Sequence, residues 1–284
     1  MKRILLFALA ALVAFPQISD ARKKDSEGLK VMSYNVRQGT AKDGTNSWKY
    51  RCPATILMLE EFQPDVFGVQ EAFNFQIKFI EENFTDYDSF GVGRDNGKSE
   101  GEFMSIFWNK KTVKMIKGGT FWLSETPDEI SYGWSSAYRR ICNWVILENK
   151  YTNTQFVHIN THFDNASSEA RRNSIGMILN KAKEFKDLPV VFSGDLNFIE
   201  KSLGYRDITA DVLKDTKVLA KDTMNSATFH NADPNAFKDI VLDYILINDG
   251  FKALKYEVVK EKYNNRYISD HYAVVASVEV VSGQ

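Results

Sequence analysis

The chain has 284 residues, 44% of them hydrophobic and 26% charged, and carries a formal net charge of −1. No low-complexity tract or internal repeat interrupts this ordinary globular composition. The near-neutral balance excludes the broad basic footprint of a tight nucleic-acid binder, though not a nuclease that holds its substrate through a metal.

Lys2 and Arg3 precede the apolar run ILLFALAALVAF, which is followed by Pro16 and a polar stretch ending in Ser19, Asp20 and Ala21. This order predicts a secretory signal cleaved near Ala21, and the apolar run is too short for a comfortable membrane span. Residues 1–21 are set aside as that signal. The mature chain, residues 22–284, is expected to be exported to a periplasmic or extracellular location. It is expected to form one domain, because no Gly/Ser/Pro-rich linker divides it.

Short apolar runs rich in β-branched and aromatic residues predict strands at LKVMSYNV, DVFGVQ, FMSIFWN, CNWVILEN, TQFVHINTH, LPVVFSGD, IVLDYILIN and YAVVASVEVV. Many alternate in two-residue steps, as half-buried antiparallel strands do. Pro53 suits the first turn of a helix that runs to about Phe62 and stops before Pro64. Ile175, Ile178, Leu179, Ala182 and Phe185 recur at helical spacing after NASSEARR. Strands and helices interleave too irregularly for a repeating βαβ barrel, and two packed sheets with outer helices fit the pattern. Cys52 falls on a helix and Cys142 on a strand, and two cysteines in apolar settings do not make a disulfide framework.

Polar groups gather where the strands stop. Asn35 ends one strand and Glu71 another; Asn160, His162 and Asp164 end a third; Asp195 and Asn197 follow a fourth. Each has a bland reading, as a turn residue, a helix-opening carboxylate or a satisfied core histidine. Asp243 is harder to dismiss, because it sits among Val241, Leu242, Tyr244 and Ile245. A buried carboxylate there needs a partner, and the imidazole of the Asp270-His271 pair is a suitable one. Asp195 and Asn197, two apart, project to one side of an extended chain. Carboxylates with an amide suit Mg²⁺, and a cysteine-poor set with four histidines argues against a structural zinc cage. Water activation by a carboxylate and charge stabilisation by imidazoles are the parts that phosphoester hydrolysis needs.

The segments SYNVR, GVQEA, NTHFD, SGDLN, LDYI and SDH stand in the order found in the endonuclease/exonuclease/phosphatase superfamily, which the chain resembles from about Leu29 to Val281. GVGRDNGKSEGEFMSIFWNKK and GGTFWLSETPDE resemble a bacterial branch related to the carbon-catabolite-repressor deadenylases. The resemblance implies an α/β fold, a four-layer α/β/β/α sandwich like that of deoxyribonuclease I. It implies a hydrolase of phosphoester bonds using Mg²⁺, with Mn²⁺ an alternative, by in-line attack of water on phosphorus. Glu71 would ligate the metal with Asn35 beside it and Asp270 near it. Asp195 would activate or orient the water, Asn197 would hold a phosphate oxygen, and His162 would contact the phosphate. His271, oriented by Asp243, would stabilise the transition state; whether Asp195 or His271 is the base stays open. Arg140 is placed near the substrate phosphate. Trp134, in a stretch with Phe121, Trp122, Tyr132, Tyr138 and Arg139, is placed against the substrate, whereas Phe121 and Trp122 read as core. The expected partner is a phosphoester: a nucleotide, a nucleic acid or a small phosphodiester, with no stable protein partner. The alternatives are a phospholipid- or sugar-phosphate-directed phosphodiesterase and a non-catalytic envelope binding protein on the same scaffold.

Overall fold

The structure, a computed structural model, describes residues 28–281, so the expected signal segment lies outside the described residues. The first half of the chain forms β1 (Leu29–Asn35), α1 (Trp48–Phe62), β2 (Val66–Gln70), β3 (Ala72–Phe73), α2 (Asn74–Asn83), β4 (Tyr87–Phe90), β5 (Glu102–Phe103) and β6 (Ile106–Asn109). Then come β7 (Val113–Trp122), β8 (Ile141–Asn149), β9 (Gln155–His162), α3 (Ser168–Glu184), β10 (Val190–Asp195), α4 (Leu203–Thr209), β11 (Lys214–Asp215), α5 (Thr216–Leu219), β12 (Asp222–Thr223), β13 (Asp243–Ile247), β14 (Phe251–Val258) and β15 (Val274–Val280).

Two large sheets carry the fold, with strand orders β12-β14-β15-β1-β2-β6-β4 and β11-β13-β10-β9-β8-β7. Val31, Val66, Ile106, Val145, Phe156, Val191, Ile245 and Val274 pack in one cluster that joins the sheets. Met32, Phe67 and Val275 pack with Ala54, Met58 and Leu59 of α1, covering the outer face of the first sheet. Ile159, Phe192 and Leu246 pack with Ile175, Ile178 and Ala182 of α3, covering the second. This is the expected four-layer sandwich. No helix among the described residues is long and apolar enough to cross a membrane.

Three local expectations need correction. The central strands are not half-buried: every residue of β2 and of β10 is buried, because a helix covers the face that the partner sheet does not. Pro53 is not in the first turn; α1 begins at Trp48. The Lys49 carbonyl, which a proline four residues on leaves without its helical donor, faces the Cys52 thiol at 3.8 Å. The run FMSIFWN is broken at Met104-Ser105 into β5 and β6. The Met104 carbonyl accepts instead from the Asn143 and Asn160 amides, at 2.8 and 3.0 Å, while the Ser105 carbonyl accepts the Val69 N–H of β2 at 2.9 Å. Both cysteines are free.

The two-residue strand period places the site. Along β1 the residues facing the other sheet are Leu29, Val31, Ser33 and Asn35; along β9 they are Phe156, His158, Asn160 and His162; along β10 they are Val191, Ser193 and Asp195. Each row runs from apolar through hydroxyl, imidazole or amide to a chemically active end. In the middle, Asn160 Oδ1 accepts from Gln70 Nε2 at 2.8 Å and from Ser193 Oγ at 3.0 Å, bridging the sheets. Gly68 makes room for it: a Cβ there would lie 2.4 Å from Asn160 Oδ1 and 2.5 Å from Ser193 Oγ.

Candidate active site

The register of the second sheet puts Asp195 opposite His162 on β9 and opposite Asp243 on β13. Asn35 and Glu71 come from the ends of β1 and β2 in the facing sheet. Arg37, Glu71 and Asn197 all take positive φ, at 55°, 62° and 48°. Each lies one or two residues past the end of a strand, where the left-handed turn swings the chain away from the ladder. Asn197 therefore does not continue an extended chain from Asp195, as the two-residue spacing suggested. Its backbone N–H instead donates to Asp195 Oδ1 at 3.0 Å.

Asp195 is the hub. Its Oδ2 accepts from Asn35 Nδ2 at 3.0 Å and lies 3.5 Å from His162 Nε2 and 3.7 Å from His271 Nε2. Burial, together with the Asp243 charge, pushes the Asp195 carboxyl up to about 7 against the pull of His271. His271 Nδ1 lies 2.9 Å from Asp243 Oδ2, the contact expected from sequence. Burial alone would lower the imidazole, but Asp243, Asp195 and Asp270 outweigh it and hold His271 well above its ordinary range. His162 is the opposite case. Burial first, and then the charges of Arg140, Arg94 and His271, keep it neutral. Its Nε2 lies 2.9 Å from Asn197 Nδ2, which also donates to the Phe163 carbonyl at 3.0 Å.

Glu71 accepts from Asn35 Nδ2 at 3.1 Å and from the Gln38 N–H at 3.0 Å. One ligand atom from each of Glu71, Asp195 and His271 lies within 4.8 Å of the others. The two carboxylates, with the Asn35 amide between them, fit a hard divalent cation, whereas His271, held protonated by its carboxylate neighbours, has no lone pair to offer one. Asn35 turns its amide nitrogen to both carboxylates, so its oxygen reaches a cation there only if the amide flips. Asp270 stands outside that trio, with Arg37 at 3.5 Å and the Ser269 hydroxyl at 3.1 Å. Asp164, buried just past β9, accepts N–H groups from Ala137, Ala166 and Ser167 and anchors the β7–β8 loop to the end of β9. Arg140 is buried against Asp164 rather than exposed on that loop. Trp134 is half-buried with φ 44°, while Tyr132 and Tyr138 are exposed and Phe121 and Trp122 are core.

Three groups beside the site carry no signal in the sequence: Thr228, Phe229 and Arg94. Thr228 donates its hydroxyl to Asp243 Oδ2 at 2.6 Å and receives the Leu242 N–H at 3.0 Å. Phe229 packs edge-on against His271, with centroids 4.8 Å apart. Both lie in NSATFHN, which has no strand period to draw attention to it. Arg94 lies in GVGRDNG, where one arginine among turn-forming residues reads as an ordinary surface loop.

A sequence profile of the Endonuclease/Exonuclease/phosphatase family matches residues 32–271. The chain belongs to this family. It is 34% identical to a mannosyl-6-phosphatase from Bacteroides thetaiotaomicron, with a TM-score of 0.85 over 88% of this chain and 99% of that one. Another solved structure of an endonuclease/exonuclease/phosphatase family protein, from Bacteroides vulgatus, is 32% identical, with a TM-score of 0.85 over 89% of this chain and 99% of that one. An uncharacterised protein of Acanthamoeba polyphaga mimivirus is 26% identical over 88% of this chain and all of its own length. Members of the family are phosphoester hydrolases, and this chain is an enzyme of that kind.

Proposed function

We propose that the protein is a Mg²⁺-dependent phosphomonoesterase acting on small sugar phosphates, with Mn²⁺ able to replace Mg²⁺. The observation that carries the chemistry is Asp195, ringed within 3.7 Å by Asn35, His162 and His271. The likeness to the mannosyl-6-phosphatase supports the substrate class, and the net charge of −1 favours a small phosphoester over a long nucleic acid. A nuclease or phosphodiesterase on the same site is the second reading.

Glu71 and Asn35 would hold the cation, and Asp270 is proposed as a further ligand. When bound, the cation would polarise the phosphoryl oxygens and offset their charge. Asp195 is assigned as the base, because Asn35, His162 and His271 converge on its Oδ2. His271, tied at Nδ1 to Asp243, is assigned to donate from Nε2 to a phosphoryl oxygen as negative charge builds there. His162 and Asn197 are assigned to the remaining oxygens, with Asn197 giving up one of its present acceptors to do so.

The test is turnover by the purified mature chain on p-nitrophenyl phosphate, mannose 6-phosphate, bis-p-nitrophenyl phosphate and oligonucleotides. Hydrolysis of the monoesters is expected, lost on chelation and restored by Mg²⁺ or Mn²⁺. Activity on the diester and oligonucleotides alone would favour the second reading, and no hydrolysis of any of the four would overturn both. The protein is proposed to act outside the cytoplasm, on the strength of the pattern at residues 1–21. N-terminal sequencing of the natural product is expected to start just after Ala21, and an intact Met1 would refute export by cleavage.

A further inference from the structure

Arg94 and Arg140 bring two guanidinium groups under a single ring beside the catalytic centre. They are only 6% and 4% exposed. Their guanidinium carbons lie 5.0 and 5.6 Å from the centre of the Tyr138 ring, which is itself 50% exposed. The two come from separate segments: Trp122 Nε1 at the end of β7 holds the Arg94 carbonyl at 2.9 Å, and Arg140 immediately precedes β8.

Each guanidinium has a carboxylate on one side. Arg94 Nη1 meets Glu102 at 2.6 Å, and Arg140 Nε meets Asp164 Oδ2 at 3.5 Å. Asp164 is already committed elsewhere, since it accepts the N–H groups of Ala137, Tyr138, Ala166 and Ser167. Arg94 Nε and Arg140 Nη1 are left buried with no hydrogen-bond partner, and so is Nδ1 of nearby His162. Buried donors without acceptors are rare because they lose their water for nothing in return. Two cations this close also repel: burial first, and then the Arg94 charge, hold the Arg140 guanidinium below its ordinary range. An oxyanion would relieve both penalties, and the planar fork of arginine suits it.

We propose that Arg94 and Arg140 form a subsite for a dianionic phosphoryl group, with the Tyr138 side chain as its movable cover. The dianion follows from the pairing: two guanidiniums match the double charge and three terminal oxygens of a monoester better than the single charge of a diester. Only the Tyr138 ring needs to move, because its backbone N–H is held by Asp164. This subsite rests on the phosphoester reading above and sharpens its choice of substrate.

The experiment is calorimetric titration of the Mg²⁺-loaded mature enzyme with inorganic phosphate, which needs no turnover. Arg94→Lys and Arg140→Lys are each expected to weaken phosphate binding about tenfold or more, and to lower the monoester-to-diester ratio of kcat/KM on the two p-nitrophenyl substrates. Arg172→Lys, on the exposed face of α3, is expected to change neither. Tyr138→Ala is expected to tighten phosphate binding roughly fivefold, because the ring no longer competes for the cations. If the arginine variants do not fold by circular dichroism, Tyr138→Ala decides alone. Phosphate affinity unchanged in the folded variants, or equal loss on monoester and diester, overturns the subsite and leaves the hydrolase reading standing. Phosphate binding that depends on Arg94 and Arg140, in a wild-type protein that hydrolyses no ester, supports the subsite and overturns the hydrolase reading instead.

Discussion

Asp243 Oδ2 holds two donors at once, the Thr228 hydroxyl and His271 Nδ1. Asparagine there could still accept from Thr228, but it would carry no charge to keep His271 protonated. His271 is held above its ordinary range by its carboxylates, so a reaction that needs the imidazolium persists to high pH and fails only as pH rises through the folded pKa. Asp243→Asn is expected to move that alkaline limb of the kcat profile to lower pH and to cut kcat about tenfold or more; an unmoved limb would break the pairing. His158 carries the opposite sign. Burial pushes it from 6.5 down to about 3, and its Nε2 is bonded to Ser193 at 2.8 Å. The folded state therefore binds fewer protons than the unfolded one, and stability present above pH 6.5 drains away as pH falls toward 3. His158→Gln, which does not titrate, is expected to close its stability gap to wild type by about 1.4 kcal/mol per pH unit below 6.5, read from urea midpoints.

At the scale of the element, β2 shows how a strand interior can be set by what faces it. Val66-Phe67-Gly68-Val69-Gln70 is buried throughout, and its one residue without a side chain lies beneath the amide that joins the sheets. Gly68→Ala pushes a methyl group into Asn160 Oδ1 and Ser193 Oγ, neither of which can swing aside without giving up a buried hydrogen bond. The expected cost is about 1–3 kcal/mol by denaturant unfolding. Activity should fall with it, since β2 carries Glu71 at its end. A neutral substitution would mean that the sheets separate there without penalty.

Across the whole molecule, two sheets rather than one make the site possible. Asn35 and Glu71 come from one sheet, Asp195, His162 and Asp243 from the other, and His271 from the segment before β15, so the centre exists only where the layers meet. The apolar halves of the strands hold the layers together, and the polar ends meet to form the site. The overall charge is small, with a pI near 6.5. Binding to a 20-bp DNA duplex at 150 mM salt, followed by fluorescence anisotropy with Mg²⁺ present, is expected to be weaker than about 10 µM. A tighter, steeply salt-dependent complex would point to a nucleic-acid substrate instead.

The order of the motifs and the polar ends of the strands were legible from the chain alone, because strand period and side-chain type are local properties. The contrast between Val31 and Asn35 on one face of β1 is written in four consecutive steps of sequence. The need of Asp243 for a partner was also legible, since an acid among Val241, Leu242, Tyr244 and Ile245 has to be paired wherever it is buried. What only the tertiary structure decided was which partners meet. Thr228 reaches Asp243 from a segment without periodicity, and Arg94 joins Arg140 across 46 residues of chain. The layer that covers β2 and β10 on their second face, and the break at Met104-Ser105, depend on side chains from distant segments. Such contacts follow from how the sheets stack, and local propensity carries no record of that stacking.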